Sequence, residues 1–121
     1  MQLSMTQTDQ EFVNACGFAV DSEEGRVALA LRRELGDYGR AVDRTLKTEG
    51  ICADTKIVDT GILHSADSID LVEFTVHVEE LIGIKLTDED VVNLIAAGQE
   101  EMKVKDWIRC VVDIQKSAGA L

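Results

Sequence analysis

The sequence predicts a single all-α domain: a bundle of four helices, with a long ordered loop after the first core helix and an extra helical segment in front. Three observations predict it. The chain has 121 residues, the size of one domain, and 45% are hydrophobic while only 4% are aromatic, so the core is built from Val, Leu, Ile and Ala. Apolar residues recur at spacings of three and four in several separate segments, which places them on one face of a helix. Those segments are divided by Gly and turn-forming residues, with no proline anywhere.

Taken in order, residues 1 to about 10 (MQLSMTQTDQ) are polar and without pattern, and a mobile start is expected. Residues 11 to 20 (EFVNACGFAV) are apolar around Gly17 and read either as a short helix on the domain or as a loosely attached strip. Residues 1–21 are thus expected to form a partly disordered N-terminal extension. The domain follows over 22–116, with its core in 38–116, and 117–121 form a frayed tail. Asp21 and Glu24 have capping-box spacing, which starts a helix near Ser22. Val27, Leu31, Leu35, Tyr38, Val42 and Leu46 then form one apolar stripe reaching about Glu49. Gly36 and Gly39 interrupt it, each weakening a helix by about 1 kcal/mol relative to Ala. The segment is therefore one long helix, or two with a break near Gly36–Asp37. Gly50 supplies a stop.

Residues 51–66 (ICADTKIVDTGILHSA) show no long period, and Ile51, Ile57, Val58, Ile62 and Leu63 are scattered apolar anchors. This reads as a loop lying across the helices, and loops of that length are uncommon without a function. The next segment, DSIDLVEFTVHVEE over Asp67–Glu80, is a helix with two unlike faces. Leu71, Phe74, Thr75, Val78 and Ile82 face the core, and Asp70, Glu73, Glu79 and Glu80 occupy the rest. It ends near Ile82–Gly83. Thr87 or Asp88 caps a short helix through Val91, Leu94 and Ile95, and residues 97–101 (AGQEE) read as a break. A last helix carries Val104, Trp107, Ile108, Val111, Val112 and Ile114, with Asp106 and Arg109 on its polar side.

Net charge is −11, from 23 acids and 12 bases. Nucleic acid and anionic membranes need Lys and Arg for their phosphates, so both are disfavoured as partners. Basic protein surfaces are favoured, because the acids are segregated: between Lys56 and Lys85 there is no Lys or Arg. Cys16, Cys52 and Cys110 are odd in number and far apart, with neither a disulfide framework nor metal spacing, which suits reduced thiols in a cytoplasmic protein. No signal peptide is recognised, and no apolar run approaches a membrane span.

The polar residues could in principle support three kinds of chemistry. A triad of Ser68, His64 or His77, and Asp70 lacks an oxyanion hole and a glycine-rich elbow. A metal site of His64, Asp67 and Asp70 has no recognised spacing. Asp70 and Glu73 lie on an exposed helical turn, where nothing raises a carboxyl pKa for acid catalysis. No residue is assigned a catalytic role, and the chain is read as a protein acted upon rather than an enzyme. Ser68 then stands as an acceptor. It lies where a loop enters a helix, and the free N–H groups and dipole there favour an attached phosphate. Ser68 or Asp67 serving only as a helix cap is the plain alternative.

DSIDLVEF at Asp67–Phe74, followed by VEELIGIKLTDED at Val78–Asp90, resembles the acyl carrier proteins. The register holds from Asp67 to Asp90 without a gap, and Lys103-Val104 is similar to the start of the family's final helix. The resemblance covers roughly residues 38–116 and is strongest in the central third. It implies that Ser68 receives a 4′-phosphopantetheine arm from coenzyme A through a phosphopantetheinyl transferase. The arm's thiol would then hold acyl groups as thioesters for enzymes of fatty acid, lipid or polyketide-type biosynthesis. Asp67, Asp70, Glu73, Glu79 and Glu80 match the family's acids that meet Arg and Lys on partner enzymes. Ile69, Val72 and Val76 match its exposed apolar positions, and they do lie away from the Phe74–Val78–Ile82 stripe. A second packing face is their alternative role.

Several residues depart from the family pattern. Leu63-His64-Ser65-Ala66 replaces the usual leucine-glycine, and Thr87 stands where proline is common. IVDTGILHS at Ile57–Ser65 resembles the loop of stand-alone aminoacyl carriers, which puts a serine at Ser65. Ser68 is preferred, because Ser65 has no preceding Asp and lies three residues out of register. Extra residues around 97–102, and more than thirty before the core, suggest a specialised carrier. An aminoacyl or peptidyl carrier and an unmodified acidic interaction module are the competing readings. A monomer is expected, with the N-terminal segment as the surface for any dimer.

Overall fold

The computed structural model describes residues 6–42, 44–60, 68–99 and 102–119. Helix α1 spans Asp9–Ala15 and starts at a reciprocal cap. The Glu11 N–H donates to Thr8 Oγ1 at 3.2 Å, and the Thr8 N–H donates to Glu11 Oε1 at 2.9 Å. Phe12, Val13 and Cys16 are buried, which holds this short helix on the domain. Of the two readings of residues 11–20, the helix is the one observed. It begins inside the polar stretch that was expected to be mobile.

Helix α2 spans Glu23–Val42. Its cap lies one residue later than the sequence spacing suggested: Ser22 Oγ, not Asp21, accepts from the Gly25 N–H at 3.0 Å. The helix runs unbroken through Gly36 and Gly39. At Gly36 the missing side chain has a packing use, since a Cβ there would lie 2.7 Å from Thr48 Oγ1. The glycine lets the 3-10 turn Thr48–Gly50 press onto α2. Val27, Leu31 and Leu35 are buried as the stripe predicts, while Leu46 reaches the core from beyond the helix end.

The loop after α2 is tied down by backbone bonds. Ile57 N–H donates to Met102 O at 2.9 Å, Val104 N–H to Thr55 O at 2.7 Å, and Lys105 N–H to Ala53 O at 3.0 Å. Lys103 and Lys105 place their ammonium groups 3.5 and 3.1 Å from Asp54 Oδ1. These bonds meet the backbone's polar demand while Ile51, Ala53 and Ile57 are buried. A second 3-10 turn covers Ile57–Thr60. Ile62 and Leu63 lie outside the described residues.

Three helices complete the chain: α3 over Ser68–Ile82, α4 over Asp88–Gln99 and α5 over Val104–Ser117. Gly83 ends α3 with φ +73°, a conformation that favours glycine. Thr87 caps α4, its Oγ1 accepting from the Asp90 N–H at 3.1 Å. The break expected over 97–101 begins later, because α4 continues to Gln99. On α5, Val104, Trp107, Ile108, Val111 and Val112 are buried, but the next inward position is Gln115, with Ile114 only half-buried. Gln115 Nε2 donates to the Ile82 carbonyl at 2.8 Å and so caps the end of α3.

Among the described residues there are five α-helices and no strand, apart from one isolated bridge between Lys56 and Lys103. Helix α2 packs on α1, α3 and α5, and α4 packs on α5 and the Ile57–Thr60 turn. None of the described helices is long and apolar enough to cross a membrane. Arg32, 1% exposed, ties the N-terminal segment to this frame. It donates to Ile51 O at 2.9 Å, Gln7 O at 2.8 Å, Glu49 O at 3.2 Å and Asp9 Oδ1 at 3.0 Å, and its guanidinium lies 4.5 Å from the Phe12 ring centre.

Candidate functional site

Helix α3 opens at Ser68. The first N–H groups of any helix have no partner within it, so this end presents donors and positive dipole to an attached anion. Ile69, Asp70 and Val72 follow in the first turns of the helix. His64, Ser65 and Asp67 lie outside the described residues. His77 is nine residues along α3 from Ser68, about 13 Å at 1.5 Å per residue. It cannot serve as a base for that hydroxyl. Its Nδ1 lies instead 3.2 Å from Glu34 Oε2 on α2, with the Tyr38 ring against its edge at 5.6 Å. Among the described residues, no group of three or more His, Cys, Asp and Glu is placed to hold a metal ion.

The segment from residue 67 to 101 contains ten acids and one base, Lys85, a net of −9 out of the chain's −11. The negative charge therefore concentrates on α3, α4 and their connections. The remainder is close to balanced, with ion pairs such as the exposed Arg26–Glu23 and the partly buried Lys116–Glu24. Glu73 and Glu80 are exposed. Glu79 has a different position: it is half-buried, and its Oε2 accepts from the Leu86 N–H at 2.7 Å. That bond fixes the turn between α3 and α4, so Glu79 is partly committed to the fold. Val76 is 42% exposed, as expected for a residue off the core stripe. Val76, Glu79, Glu80, Ile84 and Lys85 border a shallow open groove of about 260 Å³.

Beneath the acidic face, Phe74, Thr75 and Val78 of α3, Leu86, Val91, Leu94 and Ile95 of α4 and its approach, and Trp107 of α5 line a narrow crevice with about 10 Å³ of free interior. That is room for about one water molecule. Phe74 lies between two other rings, with Tyr38 edge-on at 5.3 Å and Trp107 tilted at 5.8 Å. Trp107 is fixed in turn by its indole N–H, which donates to Leu94 O at 3.2 Å. This aromatic trio was not singled out from the sequence. Its members are more than thirty residues apart, and a 4% aromatic content points to a mostly aliphatic core.

The three cysteines are free. Burial pushes the Cys16 thiol up to about 11, against the opposing pull of Arg32, and also raises Cys52 and Cys110. None has the depressed pKa of a reactive thiolate. Compared with known proteins, the chain matches no protein-family model, no curated protein and no solved structure.

Proposed function

We infer that the chain is an acyl carrier protein: a four-helix carrier bundle of α2 to α5 with α1 as an N-terminal addition, working in the cytoplasm. Ser68 Oγ attacks the phosphopantetheine phosphorus of coenzyme A and forms a phosphodiester. The hydroxyl loses its proton, and adenosine 3′,5′-bisphosphate leaves. The arm's thiol then holds an acyl group as a thioester. The observation that carries this reading is the coincidence of a helix beginning at Ser68 with a 35-residue stretch holding −9 of the net charge. The helix end suits a phosphodiester. The acids suit basic docking patches on a phosphopantetheinyl transferase and on acyl-transferring and synthase enzymes. Asp67, Asp70, Glu73 and Glu80, with Ile69, Val72 and Val76, would form the docking face, and Glu79 would contribute mainly by holding the α3–α4 turn.

The test is intact mass after incubation with coenzyme A and a promiscuous phosphopantetheinyl transferase. The expected result is a gain of one arm, lost in Ser68→Ala and retained in Ser65→Ala. No gain in the wild type, with the transferase active on a control carrier, would leave an unmodified acidic module. Loss only in Ser65→Ala would move the attachment point to the loop and favour the aminoacyl-carrier reading.

A further inference from the structure

We propose that the chain pairs with a second copy of itself, the basic face of α2 in one copy lying on the acidic face of α3 in the other. Residues 26–47 hold six of the chain's twelve bases against three acids, a net of +3 in a chain of −11. One of the six, Arg32, is buried. Arg26, Arg33 and Arg40 recur every seven residues along α2. Seven residues turn a helix through about 700°, roughly 20° short of two full turns, so the three arginines share one face. The core takes the other side, where Val27, Leu31 and Leu35 are buried. Arg26 and Arg33 are exposed, and Arg40 is half-buried. Glu23 and Asp37 lie on the same face and pair with Arg26 and Arg40. Arg33 has no ion-pair partner among the described residues.

The complementary surface lies beside this one on the same molecule. Glu73 and Glu80 are exposed on α3 and are also seven residues apart. The rise between them is about 10.5 Å, the same as from Arg26 to Arg33, so two arginines on one helix meet two glutamates on the other in register. Val76, 42% exposed, lies between the glutamates, and the half-buried Leu29 and Ala30 lie between the arginines, which gives the contact an apolar centre. Helices α2 and α3 pack on each other, and Glu34 of α2 meets His77 of α3 across the seam. The basic and acidic faces are therefore neighbours. A two-fold axis that sets the first against the second makes the reciprocal contact as well, so every charge pair forms twice. A separate acidic protein would gain only the arginines and would be repelled by Glu73 and Glu80 beside them, as would a nucleic acid or an anionic membrane. The pairing depends on charge and spacing, not on any modification of Ser68. Where the carrier reading holds, it also covers Glu73, Val76 and Glu80, so enzymes meet that face only on the monomer.

Sedimentation velocity of the unmodified full chain, with its thiols kept reduced, tests the proposal. Exposed ion pairs are individually weak and screened by salt, so the dimer should be weak and salt-sensitive. At about 20 mM salt the sedimentation coefficient should rise with protein concentration toward a dimer, with a Kd on the order of 0.1 mM, and at about 0.5 M salt it should stay at the monomer value. Arg26→Glu with Arg33→Glu, and separately Glu73→Lys with Glu80→Lys, should each weaken self-association at least about tenfold. Arg33→Glu alone breaks no ion pair within the fold and should act in the same direction. Mixed together, the two double variants should form a heterodimer about as tight as the wild-type pair, because every contact between them is again basic against acidic. Arg109→Glu, at an exposed position on α5, is the control and should leave association unchanged. A monomer at every concentration up to about 1 mM in low salt, association indifferent to salt, or no heterodimer from the mixture would overturn the proposal. So would an effect of Arg109→Glu equal to that of the α2 pair. Association that survives both double variants would lie elsewhere, at the N-terminal segment, and would overturn it equally.

Discussion

Replacing Arg32 by Met should detach the N-terminal helix and lower global stability together. The guanidinium satisfies three backbone carbonyls, those of Gln7, Glu49 and Ile51, and pairs with Asp9. Methionine keeps much of the aliphatic volume but donates nothing. A buried acceptor left without its donor costs about 1–3 kcal/mol. The Asp9 pair adds little to this, because its carboxylate is 60% exposed and an exposed pair contributes at most about 1 kcal/mol. A loss of about 3–4 kcal/mol is therefore expected from the three carbonyls and the lost contact with the Phe12 ring. For a domain of this size, that lowers Tm by roughly 10–20 °C. Urea unfolding measures the loss directly, and hydrogen exchange should show Phe12, Val13 and Cys16 amides losing protection first. The control is Asp9→Asn, which should cost under about 1 kcal/mol. An Arg32→Met variant within about 1 kcal/mol of wild type, with α1 amides still protected, would refute the reasoning.

Charge reversal of Glu73 and Glu80 to Lys should slow phosphopantetheinylation, most at low salt where exposed charges are least screened; unchanged rates in initial-velocity assays would dismiss a steering role for that face. Gly36→Ala should destabilise by about 1 kcal/mol despite the usual gain of Ala in a helix, because the new Cβ meets Thr48 Oγ1. Adding Thr48→Ala should recover the loss, as read from urea midpoints. Cys16 sets a pH dependence. Its folded pKa is raised from 9.0 to about 11, so the neutral thiol's contribution is complete below pH 9 and is lost as pH rises toward 11. Wild type should lose about 2 kcal/mol more than Cys16→Ala across that window; parallel stability curves would count against a buried neutral thiol.

Much of this architecture was legible because it depends on local spacing. The stripes of α3 and α5 were visible in Phe74, Val78, Ile82 and in Val104 through Val112, and Gly83 marked its helix end by being the residue that tolerates positive φ. What escaped reading depends on contacts distant in sequence. Arg32 sits within the buried stripe beside Leu31, and nothing nearby signals that its acceptors lie at Gln7, Glu49 and Ile51. The continuity of α2 through Gly36 follows from Thr48 packing against it, a contact twelve residues away. The cap at Thr8 has a local signal: Thr8-x-x-Glu11 has capping-box spacing across the boundary between the polar residues 1–10 and the apolar residues 11–20. At the candidate site, the helix start and the acid-rich segment were readable. The engagement of Glu79 with Leu86 and the aromatic wall around Phe74 were not, because each is settled by packing between helices.

The most direct measurement is tandem mass spectrometry of the full-length protein purified from its native cell, with thioesters preserved. A phosphopantetheine arm localised to Ser68 by fragmentation, bearing an acyl group in part of the population, is the expected result. Bare Ser68 in every molecule recovered from growing cells would contradict the carrier assignment.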